Sequence, residues 1–424
     1  MDSEWKDFRL GDLTSWSSGS TPSKKNESFW GGTVPWISAS SMKQKALTSS
    51  DEMLTEEGVV NGGRLCQKGD VLLLVRGSEL HKRIPIGVAD CQVAFNQDVK
   101  AIRTSTENLK QDYLYHLLKG SENLLLSSVE FTGIGAGKLD TPFLQGLVFP
   151  LPPISEQDRI CGLASALDDK IELNRKTNET LEDTAKALFK SWFVDFDPVR
   201  AKAEGRPTGL PNEISDLFPD SFEESELGEI PTGWSPSSVG EISKNLDRLR
   251  VPLSKKQRSE KQGSFPYYGA TGVFDYVDDF LFDGDYLLIG EDGSVAKEDG
   301  TAFSQYVSGK IWVNNHAHVL EGVLPVTTEF LYCFFQFARV TPYVTGAVQL
   351  KLSQGRMNMI QLPLADEKLL CLFGEMVRPI FGRIQSIQKE ILSLGELRDV
   401  LLPRLISGEL RVLDAEKMLE EVGI

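Results

Sequence analysis

Two stretches of the chain place apolar side chains at a spacing typical of long helices. In each, one series recurs every seven positions and a second series follows four positions behind the first. This is the a/d pattern of helices that pack along one seam. It predicts a first helix from the cap-like Ser155 to Trp192, about 55 Å long at roughly 1.5 Å per residue. The apolar seam positions are Ile160, Leu167, Ile171, Leu181, Leu188, Phe373, Ile380, Ile384, Ile391, Leu394 and Leu401.

The second seam repeats the first with one difference. Asn174 and Asn178 stand where the second copy has Ile387 and Ile391. A seam asparagine can fix the register of two helices at some cost in stability. The pair fits equally well a wet stretch of seam or a helical turn that faces a partner, and the sequence leaves these alternatives open.

The segments that precede the two helices also match each other. GDVLLL at 69–74 parallels GDYLLI at 284–289, and DYLYHLL at 112–118 parallels EFLYCFF at 329–335. Such internal similarity indicates two copies of one domain. Each copy mixes short strand-like runs with helical patches, which predicts a small α/β (α+β) domain. The strand-like runs are Val71–Val75, Tyr286–Ile289 and Val313–Leu320, and the helical patches are Leu109–Lys119 and Thr328–Phe337.

The order along the chain is therefore domain, helix, connector, domain, helix. We expect a first domain over 1–150, a central helical region over 151–197, a connector over 198–233, a second domain over 234–363 and a C-terminal helical region over 364–424. The connector is rich in Pro, Gly and acidic residues, which is typical of an irregular segment, with one helical turn at Asn212–Leu217.

The charge is uneven, and this changes what the net value of −16 implies. Residues 1–150 carry 16 basic and 18 acidic groups and residues 234–363 carry 12 and 14, whereas 151–233 carry 9 and 18 and 364–424 carry 8 and 11. A sequence-blind, purely electrostatic DNA binder is disfavoured, but local basic patches in the neutral blocks are not.

Cysteine usage and hydropathy indicate the compartment. The five cysteines are scattered and form no C-x-x-C pair, so we expect a reducing cytoplasm. No apolar run approaches the ~18–20 residues that cross a bilayer, and the N-terminus has no apolar signal core. We therefore expect no membrane association.

The stretch FTGIGAGKLDTPFL at 131–144 suggests a phosphate-binding loop at first sight. The P-loop pattern needs a glycine where Thr132 stands and a hydroxyl where Leu139 stands, and the repeat copy TGAVQLKLS lacks the inner glycines. We expect no nucleotide and no other cofactor. His316 and His318 would share one strand face, but no further ligand has a convincing spacing, so no metal is expected. No catalytic constellation is found.

Three segments carry a resemblance to a known family. PLPPISEQDRI at 150–160, LFKSWFVDFDPVRAKAEGRPTGLP at 188–211 and ELGEIPTGW at 226–234 resemble the specificity subunit of type I restriction-modification systems. The resemblance covers the full chain, with two variable target-recognition domains that are each followed by a helical region. The second copy of the first motif, PLADEKLL at 363–370, is degenerate.

The resemblance implies two globular target-recognition domains separated by two long antiparallel helices in a coiled-coil-like pair, related by a pseudo-two-fold repeat. Each domain would read half of a split double-stranded DNA site, and the helices would set the unspecified spacer. The helices would also dock methyltransferase subunits, two in number, and restriction/translocase subunits would join through these. The chain itself would be non-catalytic.

DNA contact requires cations or small polar groups at the phosphates and side chains that reach base edges. Glycine-flanked loops and a run of basic residues near two tyrosines supply the candidates. They are Lys24, Lys25, Trp36, Ser38, Lys43, Lys45, Arg76, Lys82, Arg83, Lys138, Lys244, Arg248, Arg250, Lys255, Lys256, Arg258, Lys261, Tyr267, Tyr268 and Lys351. Solvated lysines and buried core aromatics are the alternatives for single members of this set. A coiled-coil adaptor that binds proteins without DNA is the alternative function.

Overall fold

The computed structural model describes residues 5–131, 135–346 and 349–421. Contacts divide the chain into two compact units. Unit 1 comprises Met1–Leu173 and Ile391–Ile424, and unit 2 comprises Asn174–Glu390. Thr132, Gly133 and Val348, which entered the comparison of the two repeats, lie outside the described residues.

Short elements precede the first long helix. The strands are β1 (Lys6–Arg9), β2 (Thr14–Ser18), β3 (Trp30–Ile37), β4 (Ala46–Leu47), β5 (Met53–Leu54), β6 (Leu65–Cys66), β7 (Val71–Leu74), β8 (Arg76–Gly77), β9 (Ile86–Ala89), β10 (Val93–Phe95), β11 (Val99–Thr104), β12 (Glu130–Phe131), β13 (Gly137–Lys138) and β14 (Val148–Leu151). The helices are α1 (Leu10–Leu13), α2 (Glu56–Val60), α3 (Gln111–Gly120), α4 (Glu122–Ser127), α5 (Thr141–Gly146) and α6 (Ile154–Phe193).

The second half of the chain has the same kinds of element. Its strands are β15 (Phe222–Ser225), β16 (Gly228–Pro231), β17 (Ser235–Ser238), β18 (Ser243–Asn245), β19 (Gln262–Tyr268), β20 (Val273–Val277), β21 (Phe282–Gly290), β22 (Ser304–Val313), β23 (Ala317–Gly322) and β24 (Gln361–Leu364). Its helices are α7 (Asp197–Ala203), α8 (Asn212–Ser215), α9 (Val239–Ile242), α10 (Lys255–Glu260), α11 (Thr328–Phe335), α12 (Gln354–Asn358), α13 (Glu367–Ile406) and α14 (Val412–Glu421).

The predicted repeat is confirmed in the sheet order. Unit 1 contains a sheet in the order β2-β11-β7-β9-β4, and unit 2 contains one that begins β18-β23-β21-β22. The chain-closing pairs correspond too, because β1 pairs with β14 and β17 pairs with β24. In unit 1 the counterpart of the long β22 is divided into β9 and β10, which lie in different sheets.

The repeat extends to single hydrogen bonds. The amide of Asn96 donates to the carbonyl of Ile37 over 3.0 Å, and the amide of Asn314 donates to the carbonyl of Tyr268 over the same distance. Each asparagine side chain then accepts from the amide two residues further on. Both asparagines follow a strand that pairs in parallel, β10 with β3 and β22 with β19. The two mixed α/β domains therefore share the same strand pairing and the same asparagine turn.

The long helices pack antiparallel within each unit. In unit 2, Asn178 on α6 donates to the carbonyl of Ile384 on α13 over 3.4 Å, whereas Phe193 meets Phe373, with ring centroids 5.1 Å apart. Later residues of α6 thus meet earlier residues of α13. In unit 1 the side chains of Asp168 and Arg398 bond over 2.9 Å. The helix predicted from Ser155 begins one residue earlier, so Ser155 lies inside its first turn rather than at its cap.

The seam follows the predicted positions in part. Ile160, Leu167, Ile171, Phe373, Ile384, Leu394 and Leu401 are buried, whereas Leu181, Leu188, Ile380 and Ile391 are only half-buried. Phe189 and Phe381, one residue beyond Leu188 and Ile380, are buried instead. A straight helix drifts by ~20° per heptad from a strict seven-residue repeat, and this drift accounts for the change of face.

Asn174 is buried and Asn178 half-buried. Among the described residues, Nδ2 of Asn174 and Oδ1 of Asn178 have no hydrogen-bond partner. An unsatisfied buried amide costs free energy of folding, about 1–3 kcal/mol for the group. The two asparagines therefore weaken the seam in unit 2, although Asn178 bonds to a backbone carbonyl across it.

The expectation of an irregular connector is wrong. Helix α7 and the hairpin β15-β16 lie within it. Phe196, Val199, Phe218 and Ile230 are buried in the hydrophobic core of unit 2. Pro and Gly here separate short elements, and the aromatic side chains between them hold the segment against the core.

Among the residues that the structure describes, no helix combines the length and apolarity that a bilayer crossing would need.

His116 gives unit 1 a testable dependence on pH. The residue is buried on α3, with Nε2 3.2 Å from the hydroxyl of Ser165 on α6. Burial and then the charge of Lys45 lower the pKa of His116 to about 4. The unfolded chain therefore binds this proton more tightly than the folded chain. The stability contributed by neutral His116 is full above about pH 6.5 and is lost as the pH falls towards 4.

We expect wild type to lose up to ~3 kcal/mol of unfolding free energy relative to His116→Gln between about pH 7 and pH 4. Urea unfolding of the full chain, followed by unit 1 signals at several pH values, measures this difference. Carboxylates titrate in both proteins, so the variant serves as the control. Parallel pH profiles for the two proteins would contradict the assignment.

Candidate nucleic-acid interface

The described end of the glycine-rich stretch of the first domain is a short strand that pairs with a neighbouring segment. Strand β13 lies between β12 and β8, and its register places Lys138 opposite Arg76 and Gly137 opposite Gly77. Gly135 has φ +79°, a conformation that favours glycine. The structure thus brings together two candidate cations that lie far apart in sequence.

Two further side chains complete this surface in unit 1. His81 stacks on Phe131 with ring centroids 4.5 Å apart, and its Nε2 lies 2.7 Å from the carbonyl oxygen of Gly135. Phe131 is 59% exposed, so the stacked pair presents an aromatic face to solvent. Exposed aromatic rings beside cations are suited to contact with nucleic acid. Neither ring was among the sequence candidates, because the stacking joins loops that are distant in the chain.

Unit 2 repeats this arrangement with different side chains. Lys351 pairs antiparallel with Asp292, and the amide of Gly293 donates to the carbonyl of Leu350 over 3.0 Å. Asp292 thus stands where unit 1 has Arg76, while a lysine is kept on the other side of the pair. The backbone pairing is therefore the same in the two units, while the charges of the paired side chains differ.

Some of the remaining candidates of unit 1 are exposed, and others form ion pairs or hydrogen bonds with protein groups. Lys25, Lys43 and Lys82 are exposed, and the described residues give them no ion pair. Lys24 pairs with Glu52 over 2.6 Å and lies over the rings of Trp30 and Trp36.

Three other candidates of unit 1 are held by protein groups. Lys45 lies 3.3 Å from Asp168 on α6 and over the ring of Tyr115. Arg83 pairs with Glu79 and donates to the carbonyl of Met42. Ser38 is half-buried and caps a 3-10 turn at Ala39–Ser41.

The basic cluster of unit 2 divides in the same way. Arg248 and Lys255 are exposed without an ion pair among the described residues, and Lys256 is 85% exposed. Lys244 and Lys261 make long surface pairs with Glu321 and Asp278.

Two arginines of this cluster are internal. Arg258 bonds to Asp275 over 2.8 Å and to the carbonyl of Leu253 over 2.6 Å. Arg250 pairs with Asp247 and Glu291. These contacts fix the loops from which the exposed cations project.

The candidate aromatics lie beneath this surface. Trp36 is buried and its Nε1 donates to the carbonyl of Ser20, whereas the hydroxyl of Tyr267, also buried, accepts from the amide of Leu253. Tyr268 is half-buried against the central sheet. Trp36 and Tyr267 occupy matching repeat positions, and both anchor the segment that carries the neighbouring cations.

A groove of about 550 Å³ opens beside the basic cluster of unit 2. Its lining includes three loops, at Gly269–Phe274, Asp292–Ser294 and Asn314–His316, together with Pro252, Leu253, Arg258 and Tyr267. Phe274 is 64% exposed, and Asn315 and His316 are exposed polar groups of the kind that reads base edges. These residues were not proposed from the sequence as DNA contacts, because no lysine or arginine lies among them.

The expected strand pair of histidines is wrong. His316 precedes β23 and its Nδ1 lies 2.5 Å from Oδ1 of Asp292, whereas His318 is buried in β23. Asp247, Glu291 and His318 bring three possible ligand atoms within 4.8 Å of one another. The guanidinium of Arg250 bonds both carboxylates, so the positive charge beside them comes from an arginine side chain.

Comparisons with known proteins agree in family. The family model described as the type I restriction modification DNA specificity domain matches residues 2–183 and 231–368. The MjaIX specificity subunit of Methanocaldococcus jannaschii is 28% identical over 96% of this chain and 94% of its own length. The EcoR124I/EcoR124II specificity subunit of Escherichia coli is 32% identical over 42% of this chain and 47% of its own length.

Among solved structures, the S subunit of a type I restriction-modification system from M. genitalium superposes with a TM-score of 0.52. The superposition covers 96% of each chain at 17% sequence identity, so it supports the fold.

Close packing of the glycine-rich turn gives a testable prediction. A Cβ at Gly137 would lie 2.8 Å from Leu80 Cβ and from Val129 Cγ1, so we expect Gly137→Ala to destabilise unit 1 by ~1–3 kcal/mol. At Gly146 the nearest atom would be 3.8 Å away, which makes Gly146→Ala the matched control. Thermal unfolding and amide exchange at Lys138 and Leu139 measure the effect. Equal stability of the two variants would overturn this account of the turn.

Proposed function

The chain belongs to the type I restriction-modification DNA specificity family, and on that premise we propose that it reads a bipartite double-stranded DNA target with one domain per half-site. The recognition domains are residues 1–150 and 234–363. The chain contributes recognition and no chemistry of its own, so methyl transfer and cleavage belong to its partner subunits. Family membership does not favour the alternative of an adaptor that binds only proteins.

One observation carries this proposal. In each unit the segment before the last strand pairs with the segment that follows a central strand, Lys138 with Arg76 in unit 1 and Lys351 with Asp292 in unit 2. The backbone pairing is the same, while the surrounding side chains differ in charge, size and hydrogen bonding. A shared frame with different side chains supports two readers of two different half-sites.

The exposed cations supply the contacts to phosphate. In unit 1 these are Lys25, Lys43, Arg76, Lys82 and Lys138, and in unit 2 they are Lys244, Arg248, Lys255, Lys256 and Lys351. Base discrimination falls to the polar and aromatic side chains between them, such as Phe131 in unit 1 and Asn315 in unit 2.

The helical regions serve protein partners and set the spacer. Leu392 and Val400 of α13 are exposed in unit 1, and the helical and connector blocks hold most of the acidic surplus. An exposed apolar and acidic helix is better suited to a protein than to phosphate. We propose two methyltransferase subunits as these partners, with restriction/translocase subunits joining through them, in the cytoplasm.

Binding of random-sequence DNA by the assembled complex tests recognition directly. Selection on this DNA in the presence of the methyltransferase partner should enrich a motif with two defined blocks, at both low and moderate salt. Enrichment of no sequence, with the complex intact, would refute the proposed function.

Charge reversal at two exposed cations gives a quantitative prediction. Arg248→Glu with Lys255→Glu should weaken binding to every DNA sequence and lower the slope of log K against log salt by about 2, at ~0.9 per lost phosphate contact. Lys68→Glu with Lys310→Glu makes the same change of charge at exposed lysines that are neither candidate contacts nor part of the helical regions, and serves as the control. Partner assembly, followed by gel filtration, should be unchanged in both. Equal affinity of the two double variants would remove the cluster from the interface.

A further inference from the structure

The exposed ring of Phe274 in unit 2 is connected to the core through one arginine. Phe274 lies on β20, lines the groove of this unit and is 64% exposed. The guanidinium of Arg258 lies over its ring, 4.8 Å from the centroid. The same guanidinium lies over the ring of Tyr267, 5.4 Å from the centroid, and Tyr267 is 1% exposed. A cation thus joins a buried ring to an exposed one.

Protein groups fix the guanidinium of Arg258. It bonds to Asp275 over 2.8 Å and to the carbonyl of Leu253 over 2.6 Å, and the side chain is 11% exposed. The amide of Leu253 in turn donates to the hydroxyl of Tyr267 over 2.9 Å. Arg258 therefore holds the ring of Phe274 in place and is not free to contact phosphate. A ring that is fixed before binding loses little conformational freedom on contact with DNA, and this favours affinity.

Unit 1 contains the same arrangement around Lys24. Its ammonium pairs with Glu52 over 2.6 Å. It lies 5.2 Å from the ring centroid of Trp36, which is buried, and 5.4 Å from that of Trp30, which is half-buried. A cavity of about 530 Å³ opens beside Lys24 and Trp30, as the groove opens beside the two rings in unit 2.

Strand pairing shows that these groups correspond in the two units. The amide of Trp36 donates to the carbonyl of Glu52 over 2.9 Å, and Tyr267 faces Asp275 in the register of β19 with β20. Trp36 and Tyr267 occupy matching repeat positions, so the acids opposite them match as well. The inner ring, the cation and its acid recur, whereas the outer ring comes from β3 in unit 1 and from β20 in unit 2. Recurrence beside a cavity in both copies indicates that this arrangement serves the shared task of the two readers.

Phe274 lies beside cations proposed to contact phosphate. Arg258 belongs to α10, the short helix that also carries the exposed Lys255 and Lys256. The bond between Arg258 and Asp275 attaches this helix to β20. A duplex whose phosphates meet α10 therefore presents its base edges near the ring of Phe274.

The chemistry of the ring limits what it can recognise. Phenylalanine has no hydrogen-bonding group, so it cannot read the polar edge of a base. In the major groove the apolar group of the base pairs is the C5 methyl of thymine, which phenylalanine is suited to contact. Insertion between base pairs is the other use of an exposed phenylalanine. Arg258 covers one face of the Phe274 ring, whereas a ring stacked between two bases needs both faces. The geometry therefore favours the methyl contact.

We propose that Phe274 is a specificity-determining residue of the second reader, and that it recognises the C5 methyl group of a thymine in the major groove of one half-site. This inference rests on the proposed function and names the chemical group that one residue of the second reader contacts.

Replacement of single thymines by uracil tests the proposal. Uracil lacks only the methyl group and keeps the base pairing and the minor groove. Each thymine of the selected site is replaced in turn, and the affinity of the full chain with its methyltransferase partner is measured. One replacement in one block should weaken binding by roughly fourfold, the effect of burying one methyl group.

A variant identifies the residue that senses the methyl group. Phe274→Ala should bind the thymine and uracil forms of that position equally, within about twofold, because the coupling between ring and methyl is lost. Tyr276→Ala is the matched control, since it removes another exposed ring of β20 that does not line the groove. Tyr276→Ala should keep the wild-type ratio of the two affinities.

Crosslinking of the wild-type chain gives a measurement that does not depend on the folding of a variant. 5-Iodouracil carries iodine where thymine carries its methyl group, and light couples it to a nearby aromatic ring. Placed at the sensitive thymine, it should crosslink to Phe274, as identified by mass spectrometry of the peptides.

Three outcomes overturn the inference. They are a site in which no thymine is sensitive to uracil, a sensitivity that persists in folded Phe274→Ala, and a crosslink from the sensitive position to a residue other than Phe274. Absence of sequence-selective binding to any DNA refutes the proposed function instead, so the two failures are distinguishable.

Discussion

Both units depend on backbone pairing between the segment before their last strand and the segment that follows a central strand. In unit 1 it joins β13 to β8, and in unit 2 it joins Lys351 to Asp292. Since these bonds use main-chain groups, they leave the side chains free to differ. The central sheets, whose first four strands have corresponding order in the two units, support this pairing. A short helix and one further strand lie between this pairing and the long helix in each unit, α5 and β14 before α6 and α12 and β24 before α13.

The repeat and the long helices were predictable because they depend on local and periodic signals. The strand-like run Val71–Val75 is observed as β7, and the helical patch Thr328–Phe337 as α11. A run at Val313–Leu320 was wrongly joined, because the asparagine turn at Asn314 divides it between β22 and β23. The polar residues Asn314, Asn315 and His316 mark this turn in the sequence, and asparagine is a typical turn residue, so the division could have been predicted.

Only the charged residues of the candidate interface could be predicted from the sequence. The basic cluster of unit 2 was visible in sequence, but the roles within it were not: Arg250 pairs with Glu291 and Arg258 with Asp275, whereas Arg248 and Lys255 face solvent. Those partners lie between 17 and 41 residues away in the chain. His81 on Phe131 and the groove at Asn315 depend on contacts between separate loops, which no local pattern encodes. The identity of the reading residues stays a prediction.

Methylation sequencing of cells that express the chain with the proposed methyltransferase partner tests the central claim most directly. The account predicts one motif with two defined blocks around an unspecified spacer. Phe131→Ala should alter the bases read in one block only, and Asn315→Ala should alter those in the other only. A contiguous motif, or a change in both blocks from either substitution, would contradict one reader per half-site.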